Sequence, residues 1–245
     1  MEILDVRCCD PTDALLVCLG TASGGATTLI SNWNNALAMA KRRQKRKEAR
    51  PAEILQAAIE EFSENGFAGA KIEAIAARAG VAKGTVYLYY ATKEELFEAI
   101  VRDRVSPVFK IISGIVKLWP GSQVTLLKQI IPRFYSEIVE NDMRRMILKT
   151  LISESDRFEQ LADFYHTEIL VPARKMLKSI VRKGINRGEF RDTPIAIEPL
   201  VLVGPALTAA VWKMTFERAE KLDTRRWLEA HVDLVIHGLK KTSDD

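Results

Sequence analysis

The sequence predicts an all-α protein, a three-helix head that carries a helix-turn-helix followed by a longer helical body. Three observations predict it. Apolar residues recur at helical spacing from residue 54 almost to the end, and no alternating run of the β kind interrupts them. The stretch 71–93, KIEAIAARAGVAKGTVYLYYATK, reads as two short helices hinged at a glycine. Two breaks, Trp119-Pro120-Gly121-Ser122 and Gly188-Glu189-Phe190-Arg191-Asp192, divide the remainder into helix-sized lengths.

The 245 residues suffice for one large or two small domains, and 47% hydrophobic content is ample for a core. A net charge of +4 does not by itself announce nucleic-acid binding; the distribution of charge says more. Residues 1–38 differ from the rest of the chain and hold all three cysteines, Cys8, Cys9 and Cys18, in no metal-ligand spacing. Reduced thiols of a cytoplasmic protein are the expectation there. The apolar run 14–19 is too short for a membrane span, and Asp5, Asp10 and Asp13 around Arg7 do not make a secretory signal. Leu16-Val17-Cys18 has the outline of a lipoprotein cleavage site, but Val17 stands where a small residue is needed. Lys41, Arg42, Arg43, Lys45, Arg46, Lys47 and Arg50 then form a basic arm. Such a run is usually only solvated, yet directly ahead of a helix-turn-helix head it can reach phosphates or an adjacent minor groove of a nucleic acid. Residues 1–47 are thus expected to be a disordered extension, with the basic arm at 41–47.

The head is expected over 48–106. Pro51 suits a first helical turn, and Ile54, Leu55, Ala58, Ile59 and Phe62 form the inner stripe of a helix ended by Gly66. Ile72, Ile75, Ala76 and Ala79 give the next helix one apolar face, and Gly80 can cap it in the left-handed conformation. Val81 plugs the angle, and a second helix fits about 83–89 with Val86 and Tyr90 inward. Its outer face suits DNA. Lys83 can reach a base edge or a phosphate, Gly84 lets the backbone approach, and Thr85 offers a hydroxyl and a methyl group. Tyr87 and Tyr89 can fix phosphate oxygens. Thr92 and Glu95 make a capping-box spacing, and Lys93 stands in the first turn of the next helix, which favours a phosphate.

This order of residues resembles the tetracycline-repressor (TetR) family of bacterial regulators. The matching positions are Phe62, Gly66-Phe67, Ile75-Ala76, Ala79-Gly80-Val81, Lys83-Gly84-Thr85-Val86-Tyr87, Tyr89-Tyr90, Lys93-Glu94 and Leu96. The resemblance is long, ordered and chemically varied, and covers about 51–101. It departs at Ala70-Lys71, where the family often has a capping Thr or Ser; Lys71 can meet the same phosphate. Met39 opens a run that resembles an ordinary start for this family, which makes 1–38 either an extension or upstream sequence translated with the gene.

The body, 107–240, reads as helices about 108–118, 123–140, 142–154, 157–186, 195–219 and 224–240. Pro107, Pro132, Pro172, Pro199 and Pro205 should begin or kink helices. The resemblance implies a four-helix dimer interface built from the last two long helices. Leu200, Val203, Gly204, Leu207, Val211, Leu228, Val232, Val235 and Leu239 are the candidates. It also implies a small-molecule pocket, for which Phe134, Tyr135, Phe164, Tyr165, His166 and Trp212 are candidates, although each is better explained as core.

Enzyme signatures are missing: there is no GxxxxGK[ST] loop, GxSxG elbow or HExxH helix. His166, His231 and His237 do not combine into a metal site. The reading is therefore a cytoplasmic homodimeric regulator of double-stranded DNA, without cofactor, metal or membrane, released from its operator by a small ligand. The alternative is a helical protein-interaction module, against which the polar face of 83–90 speaks.

Overall fold

Two glycines in the left-handed region shape the start of the chain. The computed structural model describes residues 49–241; the extension and the basic arm at 41–47 lie outside the described residues. Helix α1 covers 49–69 and buries Ile54, Leu55, Ala58 and Phe62. At Gly66 φ is 68°, which swings Phe67 into the core, and helical turns continue past it. Helix α2 (Ile72–Arg78) and helix α3 (Lys83–Tyr89) come next, hinged at Gly80 with φ 63°. Helix α4 (Lys93–Arg104) starts on the capping box: Thr92 Oγ1 accepts from the Glu95 N–H at 3.1 Å, and the Glu95 carboxylate accepts from the Ala91 N–H at 2.8 Å.

The apolar core of the head continues into the body through α4. Leu96, Phe97, Ile100 and Val101 lie in one cluster with Met146, Ile147, Leu161 and Ile169. Phe67 meets Phe97 edge-on at 5.9 Å and Phe158 at 5.2 Å. The Arg102 guanidinium stands 4.5 Å from the centre of the Phe164 ring. A displacement of α4 against these partners would thus be felt at the helix-turn-helix.

Helix α5 (Ser106–Leu118) begins with Pro107 in its first turn, where the missing N–H costs nothing. Helix α6 (Gln123–Phe134) contains Pro132 and passes into a π-helical turn at Tyr135–Val139. After α7 (Asp142–Glu154), α8 (Glu159–Tyr165) meets a second π-helical turn, His166–Leu170, which leads into α9 (Val171–Asn186). Pro172 lies just beyond that turn. A proline leaves the carbonyl four residues earlier without its donor, and a widened turn nearby absorbs the misfit.

Beyond residue 193 the structure corrects the expected helix over 195–219. Two 3₁₀ turns, Pro194–Ala196 and Pro199–Val203, precede a shorter α10 (Gly204–Thr215), because Pro199 and Pro205 can open helical segments but not continue one. Helix α11 (Thr224–Leu239) closes the order. Its buried face packs with α6, α9 and α10 in a second cluster that includes Leu127, Ile131, Ile180, Ala210, Val235 and Leu239. Among the described residues, no helix is long and apolar enough to cross a membrane.

Candidate nucleic-acid interface and ligand cavity

The turn between α2 and α3 is fixed by its own backbone. The Gly80 N–H donates to Ala77 O at 3.2 Å and the Val81 N–H to Ala76 O at 3.0 Å, the double closure of a Schellman motif. Val81 packs on the head core, as its place after the glycine predicts. No side chain caps α2. The start of α2 is instead held from α1: the buried Glu61 carboxylate accepts from the Lys71 N–H at 3.4 Å and from Arg78 Nε at 3.2 Å. Arg78 also bonds Glu64, and the Glu61 carboxylate, reaching Lys71 at one end of α2 and Arg78 at the other, holds both ends to α1. Sequence pattern does not reveal this pair, because Glu61 and Arg78 look like ordinary surface charges on separate helices.

Helix α3 buries Val86 and turns most of its other side chains outward. Lys71, Lys83 and Gly84 are exposed, Thr85 and Tyr89 are half-buried, and Tyr87 is 44% exposed. Lys83 Nζ donates to Glu73 Oε1 at 2.6 Å and lies 5.6 Å from the centre of the Tyr87 ring. The hydrogen bond from Lys83 lowers the Glu73 pKa, and the same bond raises that of Lys83. Leu88, 77% exposed, extends this face; it is absent from the sequence candidates because a helical leucine is usually core.

Lys93 departs from the expectation of a phosphate contact. Its ammonium donates to the carbonyls of Phe67, Ala68 and Ala70 at 2.7, 3.1 and 3.2 Å and stands 5.0 Å from the centre of the Phe67 ring. These carbonyls close the end of α1, where the helix dipole attracts a cation. Burial lowers the Lys93 pKa. The side chain thus ties α4 to α1, and the free N–H groups of the α4 terminus are what remains for a phosphate.

A cavity of about 350 Å³ lies among α5, α6, α7, α9 and α10, lined by Phe109, Ile112, Ile147, Leu177 and other apolar side chains. Of the pocket candidates, Phe134 and Tyr165 line it. Phe164 instead meets Arg102, Tyr135 is buried against His231, and His166 is exposed on its π-helical turn. Trp212 packs on Trp227 and Phe216 near the chain end, its Nε1 donating to Glu220 O at 3.0 Å. The polar groups of the cavity are Glu137, Arg144 and Tyr165. Burial lowers the Arg144 pKa and raises that of Tyr165. Neither Glu137 nor Arg144 could be found by periodicity, since both read as helix surface.

The candidates for a subunit contact divide. Val235 and Leu239 are buried in the chain's own core. Leu200, Val203 and Leu207 line the cavity, while Leu228 and Val232 border a groove with Lys128 and Pro132. Gly204 opens α10 with nothing near it. Leu207 and Val211 on α10 and Leu234 on α11 keep exposed apolar surface, at 38%, 37% and 63%.

Comparison with known proteins agrees with this architecture. Residues 54–100 match the family model of bacterial regulatory proteins, tetR family. The uncharacterized HTH-type transcriptional regulator TtgW of Pseudomonas putida is 31% identical over 116 residues, 44% of this chain and 87% of that protein. The fatty acid metabolism regulator protein of Bacillus subtilis is 26% identical over 148 residues, 60% of this chain and 74% of the relative. Among solved structures, FadR from Bacillus subtilis in complex with stearoyl-CoA superposes with a TM-score of 0.65 at 23% identity, covering 76% of this chain and 98% of that one. A helix-turn-helix held by a left-handed glycine, an exposed recognition face and an all-helical body together carry the likeness well beyond a short motif, and the chain belongs to the TetR family of DNA-binding transcriptional regulators, which are not enzymes.

Proposed function

We propose that the protein is a cytoplasmic homodimeric repressor that grips a palindromic operator with α3 and releases it when a small apolar ligand fills the cavity of the body. The face of α3 carries the reading. Lys83, Gly84, Tyr87 and Leu88 are exposed there without a packing task, and a helix so placed is the element that enters a major groove. Lys83 and Thr85 would read base edges. Tyr87, Tyr89, Lys71 and the α4 terminus at Lys93 would hold phosphates, as would the basic arm.

One helix of seven residues gives little affinity, so a two-fold assembly on two half-sites is needed. The exposed apolar residues of α10 and α11, Leu207, Val211 and Leu234, support a subunit contact there. The cavity supports the ligand: it falls in the size range of small-molecule sites and is mostly apolar. The chain's kinship with a fatty acid metabolism regulator fits a long apolar ligand. Ligand and DNA would then weaken one another by equal factors.

The test is to capture genomic fragments on the purified protein and sequence them. A shared palindrome with half-sites about one helical turn apart is expected. Retention of fragments without a common sequence would overturn the reading.

A further inference from the structure

We propose that Arg144 is the selecting and signalling residue of the cavity. It would favour a ligand with an anionic head on an apolar chain, and it would hand occupancy to the DNA-binding head through the Arg104 carbonyl. The inference rests on the ligand-responsive reading of the cavity and adds the chemistry of the ligand and the route of the response.

The observation is a guanidinium incompletely used inside an apolar cavity. Arg144 Nη2 donates to Glu137 Oε2 at 3.0 Å and to Arg104 O at 2.9 Å. Its Nε is buried and has no acceptor. A buried donor without a partner is costly, so such groups generally have a use. Charge points the same way. Glu137 also binds Arg133, Oε1 to Nη2 at 2.9 Å, so two guanidiniums share one carboxylate. Arg133 lies outside the cavity lining and is 55% exposed, and it brings a second positive charge to the carboxylate that Arg144 uses. The remaining wall is aliphatic and aromatic.

Nε and Nη2 form the side-on edge of a guanidinium, which a carboxylate or phosphate takes with two parallel bonds. Nε has no acceptor in the protein; Nη2 is shared between a carboxylate and a neutral carbonyl. The carbonyl is the weaker acceptor, so an anionic head would displace Arg104 O and leave Glu137 in place. Arg104 is the last residue of α4 and is exposed, so its carbonyl can turn to water at little cost. The link lost is one that holds the end of the helix leading from the head to the body. An apolar molecule without an acceptor could fill the cavity but would not break it.

The test uses three probes with the same chain: decanoate, decanol and decyltrimethylammonium. Binding to the full-length protein is measured by calorimetry, and release of the captured operator by gel shift. Wild type should bind decanoate about tenfold or more tightly than the ammonium probe, as a charge-assisted bidentate contact implies, and decanoate alone should release DNA efficiently. Arg144→Gln, which loses the fork and the link to Arg104 O together, should bind all three alike, hold operator more weakly than wild type with no probe present, and show no further release specific to decanoate. Arg144→Lys, which retains charge but not the fork, should recover the preference for decanoate partly; it also serves if the Gln variant fails to fold. Equal binding of the three probes by wild type would overturn the role of Arg144 and leave the cavity reading intact. Failure of every probe to bind would overturn both. Wild-type operator affinity in the Gln variant without a probe, or release of its DNA by decanoate and not by decanol, would overturn the route through Arg104.

Discussion

Lys83, the first residue of the recognition helix, is held by Glu73 of the preceding helix, Nζ to Oε1 at 2.6 Å, with both side chains open to solvent. An exposed pair of this kind adds little to stability. It does set a competition, because a phosphate or base edge must take Lys83 from a carboxylate, and Glu73 itself repels DNA. Glu73→Gln should therefore tighten binding several-fold to operator and random duplexes alike, with the melting temperature unchanged. Gel-shift titrations on both duplexes check this; unchanged or weaker binding would refute the competition.

Gly84 stands inside α3, where a glycine costs up to about 1 kcal/mol relative to alanine. A Cβ added there would meet nothing within 4 Å, so the free protein has no steric need for glycine. The need must lie outside the chain, where DNA approaches. Gly84→Ala should raise the unfolding free energy by roughly 0.5–1 kcal/mol and yet weaken operator binding. Chemical denaturation and gel shift together check the opposite signs, and tighter or equal DNA binding by the variant would remove the close-approach argument.

Lys93 joins α4 to the carbonyl end of α1, and it is about as much a structural residue as a DNA-facing one. Lys93→Met should lower stability by about 1–2 kcal/mol, the worth of hydrogen bonds from a partly exposed cation, and DNA binding should fall with it. A thermal melt matching wild type would mean that the three carbonyl contacts carry no weight.

The head is legible in the sequence because its signals are local. Gly80 requires a left-handed turn, Thr92 and Glu95 sit at capping spacing, and Val86 is the inward residue of a short helix; all three hold in the structure. The features hidden from sequence depend on distant segments. Glu61 holds the uncapped start of α2 from another helix, and Lys93 looks outward until the end of α1 is folded back beside it. In the body, helical length can be read, but the side of each helix cannot. Tyr135 and Tyr165 are indistinguishable by pattern, yet one is fully internal and the other faces the cavity. The run over 195–219 has apolar spacing throughout, and its two prolines are the better guide to where α10 begins. His166 stands out in the sequence as a lone histidine among aromatics, whereas the buried histidine is His231.

That buried His231 makes stability depend on pH in a way that can be isolated. Its Nε2 lies 2.9 Å from Leu202 O, and a carbonyl can only accept, so Nε2 carries the proton. Nδ1, 3.2 Å from the Tyr135 hydroxyl, is then the acceptor. Burial pushes the Tyr135 phenol up to about 12, so it remains a donor throughout the neutral range. Burial also lowers the His231 pKa, and the bond to Leu202 opposes this without reversing it. The folded state thus takes up this proton less readily than the unfolded chain, whose histidine titrates near 6.5. Stability is full above that pH and falls as pH drops from about 6.5 toward the folded value, by up to roughly 1.4 kcal/mol for each unit of depression. His231→Gln should be less stable than wild type at pH 7.5, because the buried pair is lost, but should lose less on going to pH 5. Urea midpoints of both proteins at the two pH values give the comparison, with the carboxylates common to both cancelling. Equal losses in the two proteins would mean that His231 is protonated as easily in the fold as out of it.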